Sequence, residues 1–179
     1  MNLEEKTLSK ETLLKGIVFD VERIEVELGD GSYSKRDIVR HAGGVGVLAR
    51  TKEGQFLFVK QYRKAVESLC LEIVAGMREV GEDAADTGKR ELLEETGYEA
   101  KTFEYLGRFL PSPGYTDEVV ELFFAELNGK KSALSLDLDE RLVVESYSYE
   151  EMFEMIRENK IIDGKSIAAW FFAMDKGYI

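Results

Sequence analysis

The stretch Gly76–Tyr98, GMREVGEDAADTGKRELLEETGY, constrains the fold more than any other part of the chain. Asp83 stands where a helix N-cap would, with Asp86 three residues on at the spacing of a capping box. Gly97 stands where a C′ glycine ends a helix. At about 100° per residue, Glu91 and Glu95 are one turn apart and share a face, with Glu94 beside them. Ala84 and Gly88 lie on the same side, so another segment can approach it closely. Leu92 and Leu93 point elsewhere and are expected to anchor the helix to a core. Arg90, four residues before Glu94, can pair with it or orient a neighbouring carboxylate. Like charges gathered on one helical face repel by a few tenths of a kcal/mol per pair. A fold has little reason to collect them unless a cation offsets the repulsion. Hard divalent cations such as Mg²⁺ take oxygen ligands of this kind, usually one or two carboxylates plus substrate phosphates.

The surrounding pattern is strand-rich. Ile17 to Leu28 alternates, Gly29-Asp30-Gly31-Ser32 signals a turn, and Ser34–Arg40 reads as the return strand of a β-hairpin. Further strands are expected over 43–49, 55–62, 69–74, 102–110, 119–127 and 142–147. Helices are expected over 149–158, capped by Ser148, and over 166–176. The first dozen residues are polar and expected to be loosely docked, and Lys130–Glu140 reads as a polar connection. This order predicts an α+β domain, a sandwich of helices around a mixed β-sheet. Residues 1–16 form an N-terminal polar segment and 17–179 a single domain.

The chain has 179 residues and a net charge of −11. That balance disfavours nucleic acid and anionic membranes as partners, because phosphate surfaces need basic patches. A small anionic substrate stays possible if a metal bridges the two negative partners. One cysteine, Cys70, excludes an internal disulfide and is expected to be a small buried residue. The single histidine, His41, makes a zinc site very improbable. Nothing at the N-terminus resembles a signal peptide and no apolar run approaches a membrane span, so the cytoplasm is the expected compartment.

The residues quoted above match the Nudix signature, GX₅EX₇REUXEEXGU with U a bulky aliphatic. Its positions fall on Gly76, Glu82, Arg90, Glu91, Leu92, Glu94, Glu95, Gly97 and Tyr98. The one departure is Tyr98, where an aliphatic residue is usual. By this resemblance the chain is identified as a Nudix hydrolase, which cleaves a nucleoside diphosphate linked to another group. The resemblance implies a Nudix-type α/β/α sandwich with an N-terminal hairpin extension. It also implies that Glu91 and Glu95, often with Glu94, bind Mg²⁺ or Mn²⁺, and that the carbonyl of Ala75 completes the site.

Flanking elements resemble the ADP-ribose pyrophosphatase subgroup. They are Gln61-Tyr62-Arg63, the run Leu71-Glu72-Ile73-Val74-Ala75-Gly76, and the loop Ser112-Pro113-Gly114-Tyr115-Thr116-Asp117-Glu118. This implies hydrolysis of ADP-ribose to AMP and ribose 5-phosphate. The alternatives are GDP-mannose or another nucleotide sugar, or a domain that senses ADP-ribose without cleaving it. The resemblance assigns Arg63 and Glu72 to substrate binding. A fixed guanidinium grips diphosphate oxygens bidentately, and Arg40 adds a second positive group. Glu72 stands in an otherwise apolar strand, where an unpaired carboxylate is costly; a structural ion pair is the competing reading. Glu118, beside Pro113 and Gly114, can accept from a ribose hydroxyl. Glu140, on an acidic loop, and Glu94 are the two candidates for general base, with Arg90 orienting the signature carboxylates. A homodimer formed through strands in 17–40 is also implied.

Overall fold

The computed structural model describes residues 2–79, 81–133, 135–136 and 141–179. Glu140 therefore lies outside the described residues. Contacts divide the chain into two compact units, one built from the residues up to Gly43 plus Leu110–Val119, the other from Gly44–Phe109 plus Val120–Ile179.

The first unit is a three-stranded antiparallel sheet, β1 (Lys6–Lys15), β2 (Phe19–Glu27) and β3 (Tyr33–His41), in that order. The hairpin forms as its pattern predicts, in the register Phe19↔His41 to Glu27↔Tyr33. The N-terminal segment differs from expectation: it is a strand paired with β2 from Lys6↔Glu27 to Lys15↔Asp20. Every residue of β1 is exposed, so it has no buried face and leaves no alternation to read. Its ladder is supported instead by cross-strand polar pairs, among them Ser9 donating to Glu25 and Lys10 facing Glu22. The loop 110–119 docks on β3 by backbone bonds, with Val39 N donating to the Tyr115 carbonyl and Asp117 N to the Val39 carbonyl.

The second unit is a mixed sheet in the order β10 (Leu142–Tyr147), β5 (Phe56–Arg63), β4 (Gly44–Arg50), β9 (Val120–Lys131), β8 (Tyr98–Phe109). Two shorter strands complete it, β6 (Ser68–Glu72) against β5 and β7 (Val74–Met77) against β4. Among the described residues only β4 and β9 run parallel within it. Period-2 alternation assigns the faces. Val45, Val47 and Ala49 of β4 join Val59, Val74, Phe123 and Ala125 beneath Leu92 of α1 (Ala84–Thr96). Leu48, Phe58, Leu122 and Phe124 face the other way, toward Met152 of α2 (Tyr149–Arg157) and Trp170 of α3 (Gly164–Asp175). The unit is thus an α/β/α sandwich, as expected.

Several local expectations shift. Asp83 caps α1 but accepts from Ala85 N, one position short of a capping box, and Asp86 only contributes charge to the first turn. Leu93 is exposed rather than an anchor; Leu92 alone enters the core. β8 begins directly at Tyr98, because left-handed Gly97 reverses the chain within one residue. Ser148 forms a full capping box with Glu151. α3 starts earlier than expected, capped by Asp163, whose carboxylate accepts from Ser166 N. Cys70 is only half-buried. Among the described residues no helix is long and apolar enough to cross a membrane.

Candidate functional site

Three pieces of the second unit meet at the start of β7. Glu95, on the buried side of α1, is fully enclosed and its Oε2 accepts from Ala75 N at 3.3 Å. Glu91 lies one turn earlier against Gly76: a Cβ built on that glycine would stand 2.0 Å from Glu91 Cδ and Oε1. Both signature carboxylates are therefore turned onto the Ala75–Gly76 backbone, and glycine is required where they converge. Gly88, on the same side of α1, lets the helix sit close, since a Cβ there would be 2.8 Å from Phe103 and 3.0 Å from Val45.

Arg90 organises the outer side. Its Nε donates to Glu82 at 3.2 Å, and its Nη1 lies 2.8 Å from Glu91 and 2.9 Å from Glu94. One guanidinium thus joins three carboxylates. The hydrogen bond from Arg90 holds the Glu82 carboxyl down at about 2, and the Glu82 bond raises the Arg90 pKa in return. Glu94 remains accessible to solvent.

The donors are all oxygen, which suits a hard cation rather than zinc or copper. Among the described residues no three His, Cys, Asp or Glu side chains converge as a closed cage. An ion such as Mg²⁺ takes one or two carboxylates and completes its shell with carbonyl, water and phosphate oxygens.

A second cluster in the same unit joins Arg63 and Glu72 to Asp163, Lys165 and Ser166 at the start of α3. Arg63 Nε and Nη2 donate to Glu72 Oε1 and Oε2 at 2.7 and 2.8 Å, a bidentate fork. Lys165 also donates to Glu72 Oε2, and to Asp163 Oδ1 at 3.0 Å. Asp163 accepts from Ser166, whose hydroxyl in turn accepts from Ile73 N at 2.8 Å. Glu72 is 3 % exposed. Burial pushes its pKa up, but the Arg63 bond and the Lys165 charge outweigh that and hold it at about 2. The Glu72 bond raises the Arg63 pKa in return. An Asp-x-x-Ser cap ahead of an apolar run was the available signal for Asp163 and Ser166. Nothing in the sequence indicated that Lys165 would reach β6.

The remaining candidates belong to the first unit. Arg40 Nε donates to Glu22 at 2.9 Å and its Nη1 to Asp117 at 3.0 Å. Asp117 also accepts from His41 N, and His41 Nδ1 lies 3.8 Å from Glu118 Oε1. Pro113 and Arg40 line a cavity of about 290 Å³ floored by Ile24, Val26 and Ile38. Gly114 is exposed, and a Cβ there would meet nothing. Glu22 and Asp117, which anchor Arg40, were not singled out from sequence.

The family model described as NUDIX domain matches residues 40–171. The chain is 43% identical over 169 residues to an ADP-ribose pyrophosphatase of Bacillus subtilis, covering 94% of this chain and 91% of that one. It is equally 43% identical over 167 residues to a methanol dehydrogenase activator of Bacillus methanolicus, covering 93% and 90%. A crystal structure of an ADP compounds hydrolase superposes with a TM-score of 0.85 at 21% identity, over 99% of this chain and 98% of that one.

Proposed function

The chain belongs to the NUDIX domain family, and on that premise we propose that it hydrolyses the diphosphate bond of ADP-ribose or a related ADP-sugar. Water and ADP-ribose give AMP and ribose 5-phosphate. The observation that carries this reading is the pair Glu91 and Glu95 turned onto Ala75–Gly76, in a chain so similar along its length to an ADP-ribose pyrophosphatase.

In this reading Glu91, Glu95 and Glu94, with the Ala75 carbonyl, hold Mg²⁺, for which Mn²⁺ can substitute. When bound, such an ion supplies charge neutralisation at phosphate oxygens and acidifies water. The chain's own groups do the rest. Arg90 keeps three carboxylates from repelling one another and orients them. Arg63, fixed by Glu72, offers its outward end to a diphosphate oxygen. In the first unit, Arg40, held by Glu22 and Asp117, and Glu118, next to Pro113 and Gly114, are the groups offered to substrate. Glu94 or Glu140 takes the proton of the attacking water; Glu94 is solvent-accessible and already held by Arg90. The active form is a homodimer joined through the strands of residues 17–40, and it works in the cytoplasm.

The test is a panel of ADP-ribose, GDP-mannose, NADH, diadenosine polyphosphates and nucleoside triphosphates with Mg²⁺ or Mn²⁺. ADP-ribose should give the highest kcat/KM. A lower rank would refute the substrate; binding without turnover of any diphosphate would mark a sensor. The equal similarity to a methanol dehydrogenase activator supports a second reading, in which the chain stimulates such a dehydrogenase. Adding it to a methanol dehydrogenase assay, with and without Mg²⁺, separates the two.

A further inference from the structure

We propose that Lys165 is a positioning residue for anion recognition, acting through Glu72 to keep the outward end of Arg63 available to a phosphate. The inference rests on the reading of Arg63 as a diphosphate-binding residue and names what sets its strength.

Arg63, Glu72, Lys165 and Asp163 form a chain of alternating charge. Glu72 takes two donors from Arg63 and one from Lys165, so both of its oxygens are engaged within the protein. At 3 % exposure it is not open to a ligand. Its role is to hold the guanidinium edge formed by Nε and Nη2. The third nitrogen, Nη1, donates to no described residue, and the Arg63 side chain is 44 % exposed, so the free edge of the fork faces outward.

Charge decides what that free edge is worth. With Lys165 in place the four groups sum to zero, and the negative charge of Glu72 is shared between two cations. Without Lys165 the remaining three sum to −1, in a chain that already carries −11. A diphosphate approaching Arg63 would then meet net repulsion at short range. Lys165 is well placed for a fixed role, because its side chain is only 15 % exposed and it stands two residues into the cap of α3. The same cap fixes the strand, through Ser166 and Ile73 N. Asp163 has the opposite electrostatic effect on the cluster, while asparagine in its place would still serve as an N-cap.

The experiment compares the unaltered chain with K165M, D163N and D163N/K165M. It measures kcat and KM for ADP-ribose with Mg²⁺, equilibrium binding of ADP-ribose in EDTA, and thermal melting. K165M should raise both KM and the metal-free Kd by about tenfold, with kcat within about twofold. D163N should move KM and Kd the other way or leave them unchanged. The double variant should return to within about threefold of the starting values, because its charge again sums to zero. A purely structural role predicts that the two single variants shift KM in the same direction, together with melting temperature, and that the double variant is worse than either; that pattern overturns the proposal. So does an unchanged KM and Kd in K165M while the unaltered chain turns over ADP-ribose. If the unaltered chain neither hydrolyses nor binds ADP-ribose, the functional reading fails and this inference with it.

Discussion

Gly76 and Glu91 are so close that the side chain of one excludes any side chain on the other: a Cβ at Gly76 would lie 2.0 Å from both Cδ and Oε1 of Glu91. The glycine that opens the signature is therefore a steric partner of a carboxylate fifteen residues later, across a loop and two turns of helix. Gly76→Ala should push Glu91 off the β7 backbone. We expect kcat to fall at least about 100-fold, the scale of losing one well-placed electrostatic group. Far-UV circular dichroism should be unchanged, since the atoms nearest a Cβ there all belong to the Glu91 side chain. Turnover within a few-fold of normal would show that Glu91 need not lie against Gly76.

Arg90 contacts Glu82, Glu91 and Glu94 with one planar fork. A lysine carries the same charge but cannot bridge three acceptors in fixed directions. Arg90→Lys should weaken Mn²⁺ binding, read by titration, by about 10- to 100-fold, as loss of an orienting partner does at metal sites. Unaltered Mn²⁺ affinity would limit Arg90 to holding the loop before α1.

Glu72 gives a pH dependence with a defined sign. Its carboxyl is held at about 2 in the folded chain against an ordinary 4.5, because Arg63 and Lys165 outweigh its burial. The unfolded chain binds this proton more readily, so the stabilisation is full above pH 4.5 and fades as pH falls toward about 2. The shift corresponds to roughly 3 kcal/mol at neutral pH. Urea unfolding of the unaltered chain and Glu72→Gln should differ by that order at pH 7, with the gap narrowing toward pH 3. A gap independent of pH would mean that packing, not charge, explains the effect.

Trp170 is fully buried between Phe56, at 4.9 Å between ring centroids, and Tyr149, at 5.3 Å. Its Nε1 is buried with no hydrogen-bond partner among the described residues. Trp170→Phe loses packing volume but also removes an unsatisfied donor, so the two effects oppose each other. We expect a net cost of less than about 1.5 kcal/mol, against about 3–5 kcal/mol for Trp170→Ala. Chemical denaturation followed by circular dichroism checks both. An equal cost for the two would show that the indole N–H is satisfied in solution.

Much of the architecture was legible because its signals are local. The hairpin of β2 and β3, the cap at Asp83, the left-handed stop at Gly97 and the capping box at Ser148 each depend on residues within a few positions of one another. The β1 strand was not legible, since alternation marks a strand only when one face is buried and β1 buries neither. Leu93 misled for a related reason: periodicity gives the angle between side chains but not where the helix touches the sheet.

At the site the division follows range. The sequence by itself determined the carboxylates, because Glu91, Glu94 and Glu95 share one helix whose geometry is fixed by backbone hydrogen bonding. The signature placed a glycine at 76, and only the fold shows why it is needed. Tertiary structure alone decided what those groups touch. Burial of both sheet faces brings Glu91 onto Gly76 and Glu95 onto Ala75 N, and brings Lys165, ninety-three residues downstream, onto Glu72. No local pattern encodes that last contact: it exists because the hydrophobic underside of α3 fixes where its N-terminus lies, and a buried carboxylate is stable only where cations can reach it.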